Sequence, residues 1–190
     1  CLPDDAAKET VAMIAVESGE GFAIAADATS EREIQQLMAR VLERYGHIDI
    51  LHNNVGASLT LGDAVATDLT EEAFDRSFAL NLKSHWLAAK HALPSLRDSR
   101  GSIVNIASLA VRQAYPYVGY KTMKTAVVAL TENLAAANAR FGVRANVILP
   151  GLMNTPMAIE SRVAAGTPRE EVIAHRDALI PLGGKMGTAW

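Results

Sequence analysis

Two tyrosine–lysine pairs overlap in the stretch YVGYKTMK, and each pair has the spacing of one helical turn. Tyr117 is followed four residues later by Lys121, and Tyr120 by Lys124. Residues four apart lie on the same face of a helix, so the ammonium can lie beside the phenol. A nearby positive charge favours the phenolate, and the couple can then exchange a proton with a reacting oxygen. The stretch therefore predicts an acid–base pair, in one of two positions.

Helix geometry selects the second pair. At about 100° per residue, Tyr120 and Lys124 share one helical face with most of the bulky side chains nearby. The other members of this face are Met123, Val127, Leu130, Thr131 and Leu134. Lys121 lies about a quarter-turn away on a more polar side, and Tyr117 stands between a proline and a glycine, which predicts an approach loop. We therefore predict that Tyr120 and Lys124 face inward and form the working pair.

The segments that must position this pair alternate between strand and helix. Apolar runs predict four strands, at about 22–26, 48–53, 101–108 and 144–151. Apolar periodicity predicts helices at 4–17, 30–45, 71–93 and 120–140, with another after Thr167. Strands separated by such helices imply a parallel sheet with right-handed crossovers, and their continuous apolarity implies helices on both faces. The sequence thus predicts an α/β fold in a single domain over residues 1–190.

Several helix ends have local signals. Ser30 and Glu33 predict a capping box, in which the hydroxyl accepts from the Glu33 N–H and the carboxylate reaches back to Ser30. Gly46 predicts the end of that helix. Pro94 is expected to end the long helix that begins near residue 71, and Pro168 is expected at the first position of the last helix.

Composition and charge exclude several classes of function. The net charge of −3 gives no basic field for nucleic acid or acidic lipid. A single cysteine excludes an intrachain disulfide and a thiolate metal cluster, and the five histidines lack ligand spacing, so no metal site is predicted. His52 is expected to be packed within its strand. No apolar run long enough to span a membrane and no signal-peptide pattern occur, so a soluble cytoplasmic protein is predicted.

Polar or special residues follow the predicted strands, where ligands bind in parallel sheets. In chain order, the notable pieces are DATS at Asp27, IDILHNNVG around Asn53, FALNLKS at Asn81, GSIVNIAS to Ser108, YKTMK from Tyr120 and VILPGLMNTPM from Val147. Six motifs in this order resemble the short-chain dehydrogenase/reductase family, over essentially all 190 residues. The resemblance implies a Rossmann-like doubly wound parallel sheet in three αβα layers. It also implies hydride transfer between NAD or NADP and a secondary alcohol or ketone.

The resemblance implies four catalytic residues. Tyr120 would donate and accept the proton at the substrate oxygen. Lys124 would lower the pKa of this phenol, which is near ~10 when unperturbed, and would hold the nicotinamide ribose. Ser108 would orient the substrate oxygen. Asn81 would hold a water that links Lys124 to solvent, although the same residue could be a plain amide on a helix surface.

The resemblance also implies a set of cofactor-binding residues. They are Asp27, Ala28, Asn53, Gly56, Tyr120, Lys124, Pro150, Gly151, Leu152 and Thr155. Asp27 would bind the adenine amino group beside the Ala28 backbone, or would only approach the following helix. Asn53 would fix the strand-end turn and Gly56 would admit the adenosine side, although the turn could simply brace the sheet. The last four residues would lie along the nicotinamide, or form an ordinary turn.

Residues 152–180 would form a mobile lid over the substrate. Met153, Met157, Ile159 and Val163 within this segment suggest an apolar-leaning pocket. By resemblance, the long helices at 71–93 and 120–140 would pair across a two-fold axis, with Trp86 in the core or in this contact. A homodimer or homotetramer acting on a small-molecule alcohol or ketone is therefore expected.

Parts of the family pattern have no match in the sequence. The family opens with a strand and a glycine-rich phosphate-binding loop, and residues 1–30 contain no such run. The family's second and last strands have no match either, so the strand at 22–26 would lack its neighbours. We therefore expect a partial domain, incomplete at both ends, that neither binds cofactor well nor turns over when residues 1–190 are expressed alone.

Two other functions are compatible with these motifs. A 3-oxoacyl-[acyl-carrier-protein] reductase would favour a basic patch for its acidic carrier, and Arg140 and Arg144 are too few to decide. A non-catalytic relative that senses a cofactor or binds a partner would not need Asn81, Ser108 and the tyrosine–lysine pair together.

Overall fold

A three-stranded parallel sheet lies at the centre of the computed structural model, which describes residues 4–164 and 166–188. Its strands are β1 (Ile50–Asn53), β2 (Ser102–Ile106) and β3 (Arg144–Ile148), in the order β1-β2-β3. The register pairs Leu51 with Ile103 and Ile103 with Ala145. The predicted parallel α/β sheet with flanking helices is therefore confirmed.

The described ranges also contain seven α-helices. They are α1 (Asp4–Val16), α2 (Glu31–Tyr45), α3 (Glu71–Phe78), α4 (Ser84–Ser99), α5 (Val118–Asn138), α6 (Pro156–Val163) and α7 (Arg169–Ala178). A π-helical turn, Ala79–Lys83, joins α3 to α4. Short 3₁₀ turns lie at Leu59–Leu61, Leu109–Arg112 and Ala139–Phe141.

The predicted end of the long helix before Pro94 is wrong, because α4 continues to Ser99. Pro94 is exposed, so water can satisfy the carbonyl that proline leaves without a donor. The turn after it is held by Ser95 Oγ, which accepts from the Ile48 N–H at 2.7 Å, and by Ser99 Oγ, which donates to the Ile48 carbonyl at 2.9 Å. Burial of Leu96 between these serines also favours a continuous helix.

The predicted strand at 22–26 does not form. Residues 21–26 have no regular structure, and no described strand lies beside them to supply the hydrogen bonds that define a strand. The Phe22 ring instead lies 5.7 Å from that of Tyr45, with the Arg44 guanidinium 4.9 Å above it.

The main core lies between one face of the sheet and α4, and α2 packs against α4 and contributes Ile34 and Met38 to it. Leu51 and Ile103 point to this side and pack with Leu87 and Leu96, each burial contributing roughly 1.5–3 kcal/mol. On the opposite face, Ile50 is 66% exposed. The expectation of strands covered on both faces is therefore wrong for the part of the chain that the structure describes.

Two predicted helix starts differ in detail. Ser30 Oγ accepts from the Glu33 N–H at 3.4 Å, as predicted, but the Glu33 carboxylate accepts from the Asp27 N–H at 2.7 Å instead of returning to Ser30. Pro168 is the N-cap of α7 and not its first residue. Among the described helices, none combines the length and apolarity needed to cross a membrane.

Candidate active site

A cavity of about 510 Å³ opens at the carboxyl ends of the three strands. Residues 54–56 after β1, 106–110 from the end of β2 onward and 150–153 after β3 line it, together with parts of α5, α6 and α7. Parallel strands place their carboxyl ends at one edge of a sheet, where loops are free to surround a ligand. The volume is in the range of small-molecule sites, roughly 300–1,000 Å³.

The first turns of α5 bring Tyr120 and Lys124 into this cavity, together with Ser108. Met123, Val127 and Thr131 are buried on the same helical face, as the periodicity predicts. The other pair does not enter the cavity. Lys121 Nζ donates to the Gln113 carbonyl at 2.6 Å on the surface, and Tyr117 is the N-cap of α5.

Lys124 is held inside the protein by two carbonyl groups. Its side chain is 3% exposed, and Nζ donates to the carbonyls of Ile106 at 2.9 Å and Val55 at 3.1 Å. Burial disfavours the charged form and lowers the pKa of Lys124 to about 8. The ammonium therefore ties the ends of β1 and β2 together and remains mostly protonated at neutral pH.

Burial raises the pKa of Tyr120, and hydrogen bonding to Ser108 offsets part of this increase. Lys124 Nζ lies 6.0 Å from the centre of the ring and donates to carbonyls, and the prediction that Lys124 lowers this pKa stays a prediction. Ser108 Oγ accepts a hydrogen bond from the Ala110 N–H at 3.2 Å. This contact orients the Ser108 hydroxyl beside the phenol.

Asn81 lies in the π-helical turn and is fully buried, so it is not an amide on a helix surface. Its Nδ2 donates to the Ala57 carbonyl at 2.9 Å and to Ser77 Oγ at 3.1 Å, while Oδ1 accepts from the Ala57 N–H at 3.0 Å. Both amide hydrogens are thus used to hold the loop after β1. The predicted water link to Lys124 stays a prediction.

The side chains around Gly56 leave no room for a Cβ atom at this position. A Cβ at this position would lie 2.8 Å from Asn81 Oδ1 and 2.9 Å from Lys124 Nζ, closer than real Cβ atoms come. The sequence predicted that this glycine admits the cofactor. The structure shows that it first admits two predicted catalytic side chains.

Asn53 points into the core and does not line the cavity. Its Nδ2 donates to Asn105 Oδ1 at 2.9 Å, and Asn105 Nδ2 donates to Thr131 Oγ1 at 2.9 Å. This chain of hydrogen bonds joins β1, β2 and α5 beneath Lys124 and was missed in the sequence, although both asparagines lie at inward positions of their strands. His52 has the opposite orientation: it is exposed and lines the cavity, so the prediction that it is packed is wrong.

His85 is the buried histidine of this region. Its Nδ1 lies 3.2 Å from Ser84 Oγ. Its Nε2 is buried and has no hydrogen-bond partner among the described residues. Burial and then the charge of Lys124 lower the pKa of His85 to about 3, with the Ile106 carbonyl opposing them.

Pro150, Gly151, Leu152 and Thr155 all line the cavity, as predicted for the loop after β3. The Leu109 N–H donates to the Pro150 carbonyl at 2.9 Å, which joins this loop to the end of β2. Asp27 and Ala28 are outside the cavity. Hydrogen bonds from the backbone and hydroxyl of Thr29 lower the pKa of Asp27.

The lid segment 152–180 has a small core of its own. Ile159 and Val172 form it with Met186, and Val163 packs against it, so Ile159 and Val163 do not make the cavity apolar. The lid residues that line the cavity include Met153 and Met157 but also Ser161, Arg162 and Arg176. Apolar atoms nevertheless form most of the cavity wall, in line with the predicted apolar-leaning pocket. No cluster suited to a metal ion occurs among the residues described.

Comparison with known proteins places this geometry in a family. A family model described as enoyl-(acyl carrier protein) reductase matches residues 1–189. The 2-(R)-hydroxypropyl-CoM dehydrogenase of Xanthobacter autotrophicus is 33% identical over 178 residues, which cover 87% of this chain and 71% of that protein. A crystal structure from Burkholderia xenovorans, described provisionally as a short-chain dehydrogenase/reductase, superposes with a TM-score of 0.86 at 30% identity, covering 94% of this chain and 68% of that one.

The chain belongs to the short-chain dehydrogenase/reductase family. Mouse L-fucose dehydrogenase is 37% identical over 172 residues, which cover 90% of this chain and 61% of that protein. The structure of an NAD⁺-bound xylitol dehydrogenase superposes with a TM-score of 0.84 at 25% identity, over 98% of this chain and 75% of that one. The chain thus spans about three-fifths of the length of mouse L-fucose dehydrogenase.

This short-chain dehydrogenase/reductase site contains a carboxylate that no sequence signal indicates. Asp63 is buried and accepts from the Gly119 N–H at 2.7 Å, the Tyr120 N–H at 3.0 Å and Ser58 Oγ at 3.1 Å. Ser58 Oγ also lies 2.9 Å from the Tyr115 hydroxyl. The carboxylate therefore caps the first turn of α5 and fixes the backbone of Tyr120. Asp63 is 57 residues from Tyr120, so only the fold brings the two together.

Proposed function

We propose that this chain belongs to an oxidoreductase that transfers a hydride between NAD or NADP and a secondary alcohol or its ketone. The observation that supports it is that Tyr120, Lys124 and Ser108 line one cavity at the carboxyl ends of the strands. Relatives named L-fucose dehydrogenase and 2-(R)-hydroxypropyl-CoM dehydrogenase are consistent with oxidation of a secondary hydroxyl group. A cytoplasmic location is proposed with it.

The cavity has suitable residues for a nicotinamide cofactor. A Cβ at Gly151 would meet only Leu109 Cδ2, at 3.8 Å, so the backbone of the loop after β3 borders open space. Pro150, Leu152 and Thr155 would hold the nicotinamide end, and Lys124 with Tyr120 would hold the ribose hydroxyls. Such a cofactor, when bound, accepts or supplies the hydride.

Tyr120 would move the proton. In the reducing direction its hydroxyl donates to the oxygen of the carbonyl carbon that receives the hydride. In the oxidising direction the phenolate takes the hydroxyl proton while the C–H bond releases its hydride. Because burial raises the pKa of Tyr120, the phenol is protonated at neutral pH and ready to donate. Ser108 would orient the reacting oxygen through its hydroxyl.

One pair of variants distinguishes the proposed oxidoreductase from a non-catalytic relative. In the full-length protein, with a panel of secondary alcohols, sugars and polyols and either cofactor, Tyr120→Phe should lower kcat by about 10²–10⁴-fold while cofactor affinity stays nearly constant. Tyr117→Phe is the matched control and should retain activity. Equal activity of Tyr120→Phe and the wild type would refute the proposal, and cofactor binding without turnover of any panel member would favour the sensing role.

A homodimer or homotetramer is proposed as well. Phe74, Phe78 and Trp86 lie exposed along α3, the π-helical turn and α4, and Trp86 is 45% exposed. Large apolar groups along one helical rod are typical of a helix–helix contact between subunits. Light scattering of the full-length protein should therefore give the mass of two or four chains.

A further inference from the structure

Two arginines of the lid line the same cavity as Tyr120. Arg162 lies on α6 and Arg176 on α7. Arg176 is only 9% exposed, which is unusual for a guanidinium because its transfer out of water is unfavourable without a partner. The lid therefore places two positive charges on the wall of the cavity that Tyr120 also lines, one of them largely buried.

Neither arginine has an acidic partner in the described ranges. Arg162 Nη1 donates to the Ala158 carbonyl at 2.7 Å, and Arg176 Nε lies 3.3 Å from Met186 Sδ, which is a weak acceptor. No carboxylate oxygen of a described residue lies within 4.0 Å of either guanidinium. Among the described residues, none therefore gives the N–H donors of Arg176 a partner of opposite charge.

The nearby acids are already engaged elsewhere. Glu160 pairs with Arg169 at 3.3 Å on the outer surface of the lid. Asp177 accepts from the Met186 N–H at 2.8 Å, and Asp63 is used by the first turn of α5. Burial, and then the like charge of Arg162, lower the pKa of Arg176.

A shared anion would remove this repulsion. Guanidinium groups bind carboxylate, sulfonate and phosphate through short charge-assisted hydrogen bonds with two parallel donors. Met153 and Met157 would cover the apolar stem between such an anion and the reacting carbon.

We infer that the substrate is a secondary alcohol or ketone that carries an anionic oxyacid group, and that Arg162 and Arg176 bind this group. The inference rests on the proposed oxidoreductase function and names its substrate class. The anion is bound at the lid while the hydroxyl or carbonyl lies at Ser108 and Tyr120. Neutral sugars and simple alcohols would leave the two guanidinium groups unpaired and should be poorer substrates.

The test compares each acid with its own neutral ester. The probes are 3-hydroxybutanoate, 4-hydroxypentanoate and 5-hydroxyhexanoate, their methyl esters, and 2-hydroxypropane-1-sulfonate, assayed with the full-length protein and its preferred cofactor. At least one acid should exceed its ester in kcat/KM by tenfold or more, and Arg176→Met should remove most of that ratio. Arg176→Lys should restore part of it. Arg169→Met, which removes an exposed lid arginine, is the matched control and should leave the ratio unchanged.

A binding measurement keeps this result separate from the proposed function. Calorimetry on the cofactor-loaded Tyr120→Phe protein reports acid and ester affinities without turnover. Loss of acid binding in Arg176→Met, with unchanged cofactor affinity, supports the inference even if no probe is turned over. Ester binding as tight as acid binding for every pair, or an acid preference that survives Arg176→Met, overturns it. A fall in cofactor affinity would assign the arginines to the cofactor's phosphates and would also overturn it.

Discussion

Replacement of Lys124 by methionine should change how the stability of the protein depends on alkaline pH. Lys124 is 3% exposed, and burial lowers its pKa from 10.5 to about 8. Below pH 8 the folded and unfolded states both bind this proton. Between pH 8 and 10.5 the unfolded state binds more protons than the folded state, so the free energy of unfolding of the wild type rises with pH.

The size of the effect follows from the two pKa values. Each pKa unit corresponds to about 1.4 kcal/mol, so a fall from 10.5 to about 8 gives a gain of about 3 kcal/mol across this range. Lys124→Met lacks the titrating group and should lack this gain. His85, whose pKa is about 3, is neutral throughout and adds nothing. Tyr120 is present in both proteins, so its titration cancels in their difference.

Urea unfolding of the full-length protein, followed by tryptophan fluorescence at several values from pH 7.5 to 10.5, measures this difference. The wild type should gain about 3 kcal/mol relative to Lys124→Met between these limits. Lys121→Met makes the same replacement at the surface lysine of the other pair and should keep the full alkaline gain. Parallel curves for wild type and Lys124→Met would refute the view that a buried ammonium lies beneath the cavity.

Three further predictions concern groups around the cavity. Because the pKa of His85 is lowered from 6.5 to about 3, stability should be lost as pH falls below 6.5, and the wild type should lose about 3 kcal/mol more than His85→Leu between pH 7 and 4 in urea titrations. Gly56→Ala forces a Cβ against Asn81 and should destabilise the protein by about 1–3 kcal/mol in thermal unfolding, whereas Gly46→Ala, with open space around it, should show only backbone strain. Asp63→Ala leaves buried donors at the start of α5 and should cost about 3 kcal/mol, with Asp63→Asn intermediate, as measured by chemical unfolding.

Much of the site could be predicted because it depends on local periodicity. The 3.6-residue repeat of α5 was enough to choose Tyr120 over Tyr117, and the structure puts Tyr120 in the cavity. Strand ends were marked by the change from apolar to polar residues, which placed Ser108 and Pro150 correctly. The helix end at Gly46 followed from the left-handed backbone that glycine adopts readily.

The rest depends on contacts between distant parts of the chain. Asp63 has no local signal, because its partners lie 56 and 57 residues later. No pattern in the sequence predicts the π-helical turn around Asn81. The helix continues past Pro94 because of contacts made further along α4. The run at 22–26 has strand composition, but a strand also requires a hydrogen-bonded neighbour, which composition does not supply.

The π-helical turn also constrains how this rod can change in length. Its five residues, Ala79–Lys83, contain one residue more than an α-helix would need over the same length. This extra residue is accommodated as a bulge between α3 and α4. Because the five residues take the place of four α-helical residues, deletion of one of them would leave an unbroken α-helix, and everything beyond it would keep its direction. Deletion of one residue from α4 before Leu87 would instead turn the rest of that helix by about 100°, and Leu87 and Leu96 would then move away from the sheet.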